Sequence, residues 1–93
     1  MAQVNDPLER INVRQHLEQI NRFLLGGSGE IITAPGKISL VWTDPKYDEP
    51  RYLAVKAAGD DGILINGRRF QASEEALQQG LRTNLKEMRA WTS

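Results

Sequence analysis

The residue types that support acid–base or nucleophilic catalysis are scarce in this sequence. It contains one histidine, His16, and no cysteine. A catalytic histidine needs a nucleophile and an orienting group within hydrogen-bonding reach, but its polar neighbours Gln15 and Glu18 point to other sides of a helix. No nucleophile-elbow motif is present. We therefore expect the chain not to be an enzyme, and we place His16 at the edge of its core or in an interface.

Acidic residues near two predicted turns could supply oxygen ligands for a divalent cation. They are Asp44, Asp48, Glu49, Asp60 and Asp61. Their spacing is not that of a calcium-binding loop, and aspartate is common in turns because its side chain bonds the local backbone. The glycine-rich residues 26–29 follow a predicted helix, whereas a phosphate-binding loop precedes one. The sequence therefore predicts no metal, no cofactor and no small-molecule substrate.

Cations and a tyrosine are interleaved along the predicted strands, a pattern that suits binding to a nucleic acid. The candidate contacts are Lys37, Arg51, Lys56, Arg68 and Arg69. On an exposed sheet face, with Tyr52 among them, they would follow a phosphate backbone and stack bases. However, residues 37–69 contain six cations against five carboxylates. Exposed lysine and arginine also protect edge strands from aggregation, an equally good explanation.

Another set of residues favours a protein partner. Tyr47, Tyr52 and Trp91 belong to types that are enriched at interface hot spots. Leu8 and Ile11 fall outside the apolar stripe of the first predicted helix, so we expect them to be free for a second contact. The simplest such contact is a homodimer.

Length and composition limit the alternatives further. The 93 residues make one small domain, residues 1–93, and 40% hydrophobic with 26% charged residues is typical of a folded globular protein. Twelve Lys and Arg against twelve Asp and Glu give a formal net charge of zero, so no global field attracts nucleic acid or anionic lipid. No apolar run reaches the roughly 20 residues that span a bilayer. We expect a cytoplasmic protein without a membrane partner.

Two helices are expected to flank a β-rich middle. The first begins at Asp6 and Pro7, or alternatively at Asn12, and ends at the glycines of residues 26–29. Its apolar stripe comprises Val13, Leu17, Ile20 and Leu24, whereas Leu8, Ile11 and Leu25 point elsewhere. The last helix begins after Ser73 and buries Leu77, Leu81, Leu85 and Met88, with Gly80 allowing close packing.

The middle is predicted to form a meander of four to five short antiparallel strands. Ile38, Leu40 and Trp42 alternate with polar residues, and Asn66-Gly67 is the strongest two-residue hairpin signal. Because neighbours on a strand point to opposite faces, Arg68 and Arg69 cannot share one surface; if Phe70 is in the core, Arg69 is the exposed arginine. The predicted fold is α+β, an N-terminal helix, the meander and a C-terminal helix, with both helices on one sheet face.

The preferred interpretation is a small non-enzymatic, regulatory module that binds a protein and self-associates. The alternative is a domain that binds single-stranded DNA or RNA through its exposed sheet face. The meander followed by GILINGRRFQASEEALQQGLRTNL resembles in outline the single-strand-binding domains of transcriptional coactivators. The resemblance includes no shared motif, and a shared fold does not fix function, so it implies no residue roles.

Overall fold

The computed structural model describes the backbone of residues 7–44, 48–59 and 61–92, and the side chains of residues 8–43, 48–59 and 61–87. The elements are α1 (Pro7–Arg10), α2 (Val13–Leu24), β1 (Glu30–Ala34), β2 (Lys37–Asp44), β3 (Glu49–Ala58), β4 (Gly62–Ile65), β5 (Arg68–Gln71) and α3 (Glu74–Thr92). The five strands form one antiparallel sheet in the order β1-β2-β3-β4-β5. The predicted α+β class, with a helix at each end of a meander, is confirmed.

The first helical segment is broken at Asn12, so that α1 begins at Pro7 and α2 begins after Asn12, while Asp6 lies outside the described residues. Asn12 adopts a left-handed conformation with φ of 57°. Its N–H donates to the Glu9 carbonyl at 3.2 Å, and its own carbonyl accepts from the His16 N–H at 3.2 Å. Asparagine tolerates this conformation better than most residues because its short side chain is polar. The break changes the direction of the chain between α1 and α2.

This break makes the prediction for Leu8 and Ile11 wrong. Both side chains are buried, with 1% and 4% of their surface exposed, and both belong to the main core cluster. The prediction extended the helical periodicity of Val13 back to Leu8, which assumes one unbroken helix. Because left-handed Asn12 interrupts the helix, the side-chain directions in α1 do not follow from those in α2. A homodimer built on these two residues is therefore not compatible with the fold.

A single core lies between the helices and one face of the sheet. Cross-strand partners point to the same side, so the register Ile38–Val55–Ile65 places these residues on one face. The helical members of the same cluster are Leu8, Ile11, Val13, Leu17, Leu77 and Leu81. The predicted inward set of β2 is confirmed, since Ile38 and Leu40 are buried and Trp42 packs partly buried against them.

The end of α2 differs from the predicted stripe. Leu24 was expected inside but is 52% exposed, whereas Leu25, expected outside, packs against the core. The helix ends at Leu24, and Gly26 and Gly27 follow in left-handed conformations with φ of 63° and 82°. Leu25 is the C-cap, and its N–H still donates to the Asn21 carbonyl at 3.2 Å.

Helix α3 starts where the sequence predicts. Leu77 and Leu81 are buried and Leu85 packs partly buried against the core, whereas the Met88 side chain lies outside the described residues. The Ser73 hydroxyl accepts a hydrogen bond from the Ala76 N–H at 3.2 Å, an N-cap contact. Gly80 is buried against the β4–β5 hairpin, where an added Cβ would lie 2.5 Å from Ile65 Cδ1 and 3.1 Å from Phe70 Cζ.

No helix in the described part of the chain combines the length and hydropathy needed to cross a bilayer.

Replacing Gly80 with alanine should therefore destabilise the protein although alanine favours helix. Overpacking costs about 1–3 kcal/mol, against a helix-propensity gain of up to about 1 kcal/mol. We expect Gly80→Ala to lower the free energy of unfolding by roughly 1–2 kcal/mol in urea titrations. The exposed neighbour Gln79 provides the control, and Gln79→Ala should be neutral or slightly stabilising. Equal stability of the two variants would contradict the close packing.

Candidate functional site

The hairpin register separates the two adjacent arginines. Asn66 and Gly67 have φ of 49° and 88°, the two positive values that a tight two-residue hairpin turn requires. This turn pairs Ile65 with Arg68, on the side of the core, and the next pair, Leu64 and Arg69, faces the opposite side. The Arg68 guanidinium forms an ion pair with Glu87 of α3 at 2.9 Å. As predicted, Arg68 is paired on the side of the core and Arg69 is directed away from it, but both side chains are exposed, so Arg69 is not the one exposed arginine of the pair.

Arg51 and Arg68 do not join the exposed sheet face, which corrects that part of the predicted nucleic-acid surface. Arg51 is half-buried and pairs with Trp42, on the side covered by the helices. Both arginines line a cleft of about 490 Å³ between β3, the β4–β5 turn and α3. Glu49 and Glu87 line the same cleft, so its two cations are matched by two carboxylates. The cleft therefore has no excess of positive charge.

The remaining three cations form a row across the other face of the sheet. Lys37 pairs with Lys56, Lys56 pairs with Leu64, and Leu64 pairs with Arg69. All three basic side chains are exposed. At about 4.8 Å between neighbouring strands, the row runs about 14 Å from β2 to β5. We call Lys37, Lys56 and Arg69 the cationic row, and the sheet face that carries it the open face.

Two cations of this row face each other at the closest kind of cross-strand position. The Ala57 N–H donates to the Gly36 carbonyl at 2.9 Å, which makes Gly36 and Ala57 a hydrogen-bonded pair. The next pair, Lys37 and Lys56, is therefore non-hydrogen-bonded, with Cα atoms about 4.5 Å apart. Like charges directly opposite destabilise a sheet. The register thus concentrates positive charge at a cost in stability.

No carboxylate within the described chain neutralises this row. Among the described side chains of the open face, Glu30 is the one carboxylate. Glu30 lies on β1, whose residue Ala34 pairs with Lys37. Glu30 and Ala34 are four residues apart, which is about 13 Å along the strand. Of the acidic residues that balance residues 37–69 in sequence, Asp60 and the Asp44 side chain lie outside the described residues. Glu49 lines the cleft on the helix side.

Gly62 makes room for the end of the cationic row. A Cβ at Gly62 would lie 3.0 Å from Arg69 Nη2 and 2.9 Å from the Ala58 carbonyl oxygen. The Arg69 guanidinium therefore lies over the bare backbone of Gly62, which is buried beneath it. No role for Gly62 was expected from the sequence. The signal was present, because glycine inside a strand often marks a close approach of another group.

Exposed apolar side chains adjoin the cationic row on the same face. Ile32 is 50% exposed and Tyr52 is 56% exposed, and the half-buried Val41 pairs directly with Tyr52. Ile32 pairs with Ser39, two residues from Val41 on β2, so the three apolar side chains are neighbours. We call Ile32, Val41 and Tyr52 the apolar patch.

The hairpin turn also fixes the backbone of the apolar patch. Asn66 Oδ1 accepts a hydrogen bond from the Ala54 N–H at 2.8 Å, and Asn66 Nδ2 donates to the Tyr52 carbonyl at 3.1 Å. The Asn66 side chain therefore continues the pairing of β3 beyond the end of β4. The same residue that sets the register of Arg69 holds the strand that carries Tyr52.

The other predicted residues have separate outcomes. His16 Nε2 lies 3.2 Å from Glu74 Oε1, which joins α2 to the start of α3, and 16% of the His16 side chain is exposed. Tyr47 lies outside the described residues, and only the backbone of Trp91 is described, so both remain predictions. The described residues contain no group of three His, Asp or Glu side chains that could hold a metal ion.

Comparison with known proteins gives no family model, curated protein or solved structure that matches this chain.

Repulsion within the cationic row is directly measurable. Lys37→Glu replaces a like-charge pair with an opposite-charge pair, so we expect it to raise the free energy of unfolding by about 0.5–1 kcal/mol at low salt. Lys37→Glu/Lys56→Glu restores like charges and should lose this gain. Urea titrations of the two single variants and the double variant close a double-mutant cycle. An additive double variant would show that the pair does not interact.

Proposed function

We propose that this protein is a non-catalytic module that binds another protein through the open face of its sheet. The proposal is based mainly on the two faces of the sheet. The described helices cover one face, whereas the other face exposes an apolar patch beside a row of cations. The cysteine-free sequence is compatible with the cytoplasmic location that we also propose.

The composition of the open face supports a protein interface. Such interfaces combine an apolar centre with a polar rim, and tyrosine is over-represented among the residues that dominate binding energy. Tyr52 and Ile32 expose about half of their surface, and the sheet beneath them is held rigidly by cross-strand pairing. A rigid surface loses little conformational entropy on binding, which favours affinity.

A second copy of the chain is the simplest partner of this kind. Because Leu8 and Ile11 are buried, we propose self-association through the apolar patch of the open face instead, with the cationic rows of the two copies outside their contact. An isologous contact uses the same patch on both copies, so a single substitution changes both sides of the interface.

The patch can be tested with two exposed aromatic residues on different surfaces. Tyr52 lies on the open face, where it also borders the cleft near Arg68, and Phe23, which is 75% exposed, lies on α2. We expect Tyr52→Asp to abolish capture of binding proteins by the tagged chain and any dimer in sedimentation velocity, whereas Phe23→Asp preserves both. Circular dichroism should show both variants folded. Loss of binding in Phe23→Asp alone would reject the open face as the interface.

Single-stranded nucleic acid is the second candidate ligand, and the cationic row is the observation that favours it. Three cations that track a phosphate backbone would give a log–log salt dependence of the binding constant with a slope of about −2. Tyr52 could stack on a base beside them.

Arg68 and Arg69 provide a matched pair of variants for this second candidate. They are adjacent in sequence but lie on opposite sides of the sheet. Arg69→Gln should weaken binding of a fluorescent oligothymidylate about fivefold to tenfold in anisotropy titrations, whereas Arg68→Gln should not. Equal effects of the two substitutions, or affinity that is independent of salt, would exclude the nucleic-acid proposal.

A further inference from the structure

We propose that the cationic row recognises an acidic segment of the protein partner, whose apolar side chains occupy the neighbouring apolar patch. This inference rests on the proposed function and names the chemistry of its ligand. Carboxylates of the segment would lie over Lys37, Lys56 and Arg69, and its aliphatic side chains would contact Leu64, Ile32 and Val41.

The charges of the open face are complementary to those of an acidic ligand. The chain as a whole carries equal numbers of basic and acidic residues, yet the described open face has three cations and one distant carboxylate. An acidic ligand would therefore be attracted to this face without a net positive charge on the protein. The cleft near Arg68 is a poorer site for an anion because Glu49 and Glu87 line it.

The two directly opposed lysines also favour a bound anion. Lys37 and Lys56 repel each other as directly opposed residues, and within the described chain no ion pair relieves that repulsion. A carboxylate placed between the two ammonium groups would attract both, and would also reduce the repulsion that exists in the free protein. The row is therefore suited to a bound anion, with Arg69 offering a fork-shaped set of donors at its far end.

The side chains around the row favour a polypeptide over a nucleic acid. Leu64 interrupts the row between Lys56 and Arg69, and Ile32 and Val41 are aliphatic. Single-stranded nucleic acids are bound through successive stacking on aromatic side chains, and Tyr52 is the one aromatic side chain that the described residues place on this face. Aliphatic neighbours instead suit the leucine, isoleucine and valine side chains of an acidic, amphipathic segment.

The test uses three defined probes with the full chain. They are a short fluorescent peptide of alternating glutamate and leucine, the same peptide with glutamine in place of glutamate, and an oligothymidylate of equal charge. We expect the glutamate peptide to bind about tenfold more tightly than the other two probes at low salt, and to lose that advantage as salt is raised. The combined variant Lys37→Gln/Lys56→Gln/Arg69→Gln should bind the glutamate peptide about tenfold more weakly, while Arg68→Gln binds it normally.

Each other outcome contradicts a specific part of the inference. Equal binding of the glutamate and glutamine peptides would overturn acidic recognition, while loss of protein capture in Tyr52→Asp would still support the open face as an interface. Tighter binding of the oligothymidylate would overturn it in favour of a nucleic acid. Loss of glutamate-peptide binding in Arg68→Gln, with the triple variant unaffected, would assign the anion to the cleft and overturn the role of the row. Circular dichroism of each variant distinguishes these results from unfolding.

Discussion

The cross-strand register of the β4–β5 hairpin is the constraint on which the surface of this protein depends. Asn66 and Gly67 both adopt positive φ, and this turn pairs Ile65 with Arg68 and Leu64 with Arg69. Side chains alternate between faces with a period of two, so a slip by one residue would reverse every side chain of the strand. Such a slip would turn Phe70 away from the core and expose it. The cost of exposing that aromatic side chain therefore also fixes which arginine reaches the open face.

The same turn contacts parts of the sheet that are far apart in sequence. The Asn66 side chain bonds the backbone at Tyr52 and Ala54, so the turn is coupled to β3 as well as to its own hairpin. At the other end of β4, Gly62 leaves the space that the Arg69 guanidinium covers. A turn residue and a glycine, neither of which contributes a binding group, thus position the cationic row and the apolar patch.

Local sequence rules predicted much of this architecture. They failed where the helical periodicity is interrupted. The alternation in β2, the Asn66-Gly67 turn and the Ser73 cap depend on neighbours within a few residues, and the glycine at position 80 indicated close packing without naming its distant partners Ile65 and Phe70. Leu8 and Ile11 were misplaced because left-handed Asn12 ends the helical period between them and Val13. Arg51 could have been placed from alternation with Leu53. The Lys37–Lys56 pair could not, because the sequence does not indicate that β2 and β3 extend to an Asp44–Glu49 pair, and the register depends on where the connection begins and ends.

Net charge is a poor guide to the electrostatics of a sheet protein, and this chain shows why. A period of two distributes adjacent charges to opposite faces, so a neutral sequence can produce one face with matched charges and another with unmatched ones. Here Arg68 is paired with Glu87 on the helix side, whereas Lys37 and Lys56 oppose each other on the open face. Their repulsion, at about 0.2–1 kcal/mol, is small beside the roughly 5–15 kcal/mol that stabilises a typical domain. The fold can therefore retain an unfavourable pair of charges without unfolding, and a carboxylate bound between them would convert that local cost into affinity for an anion.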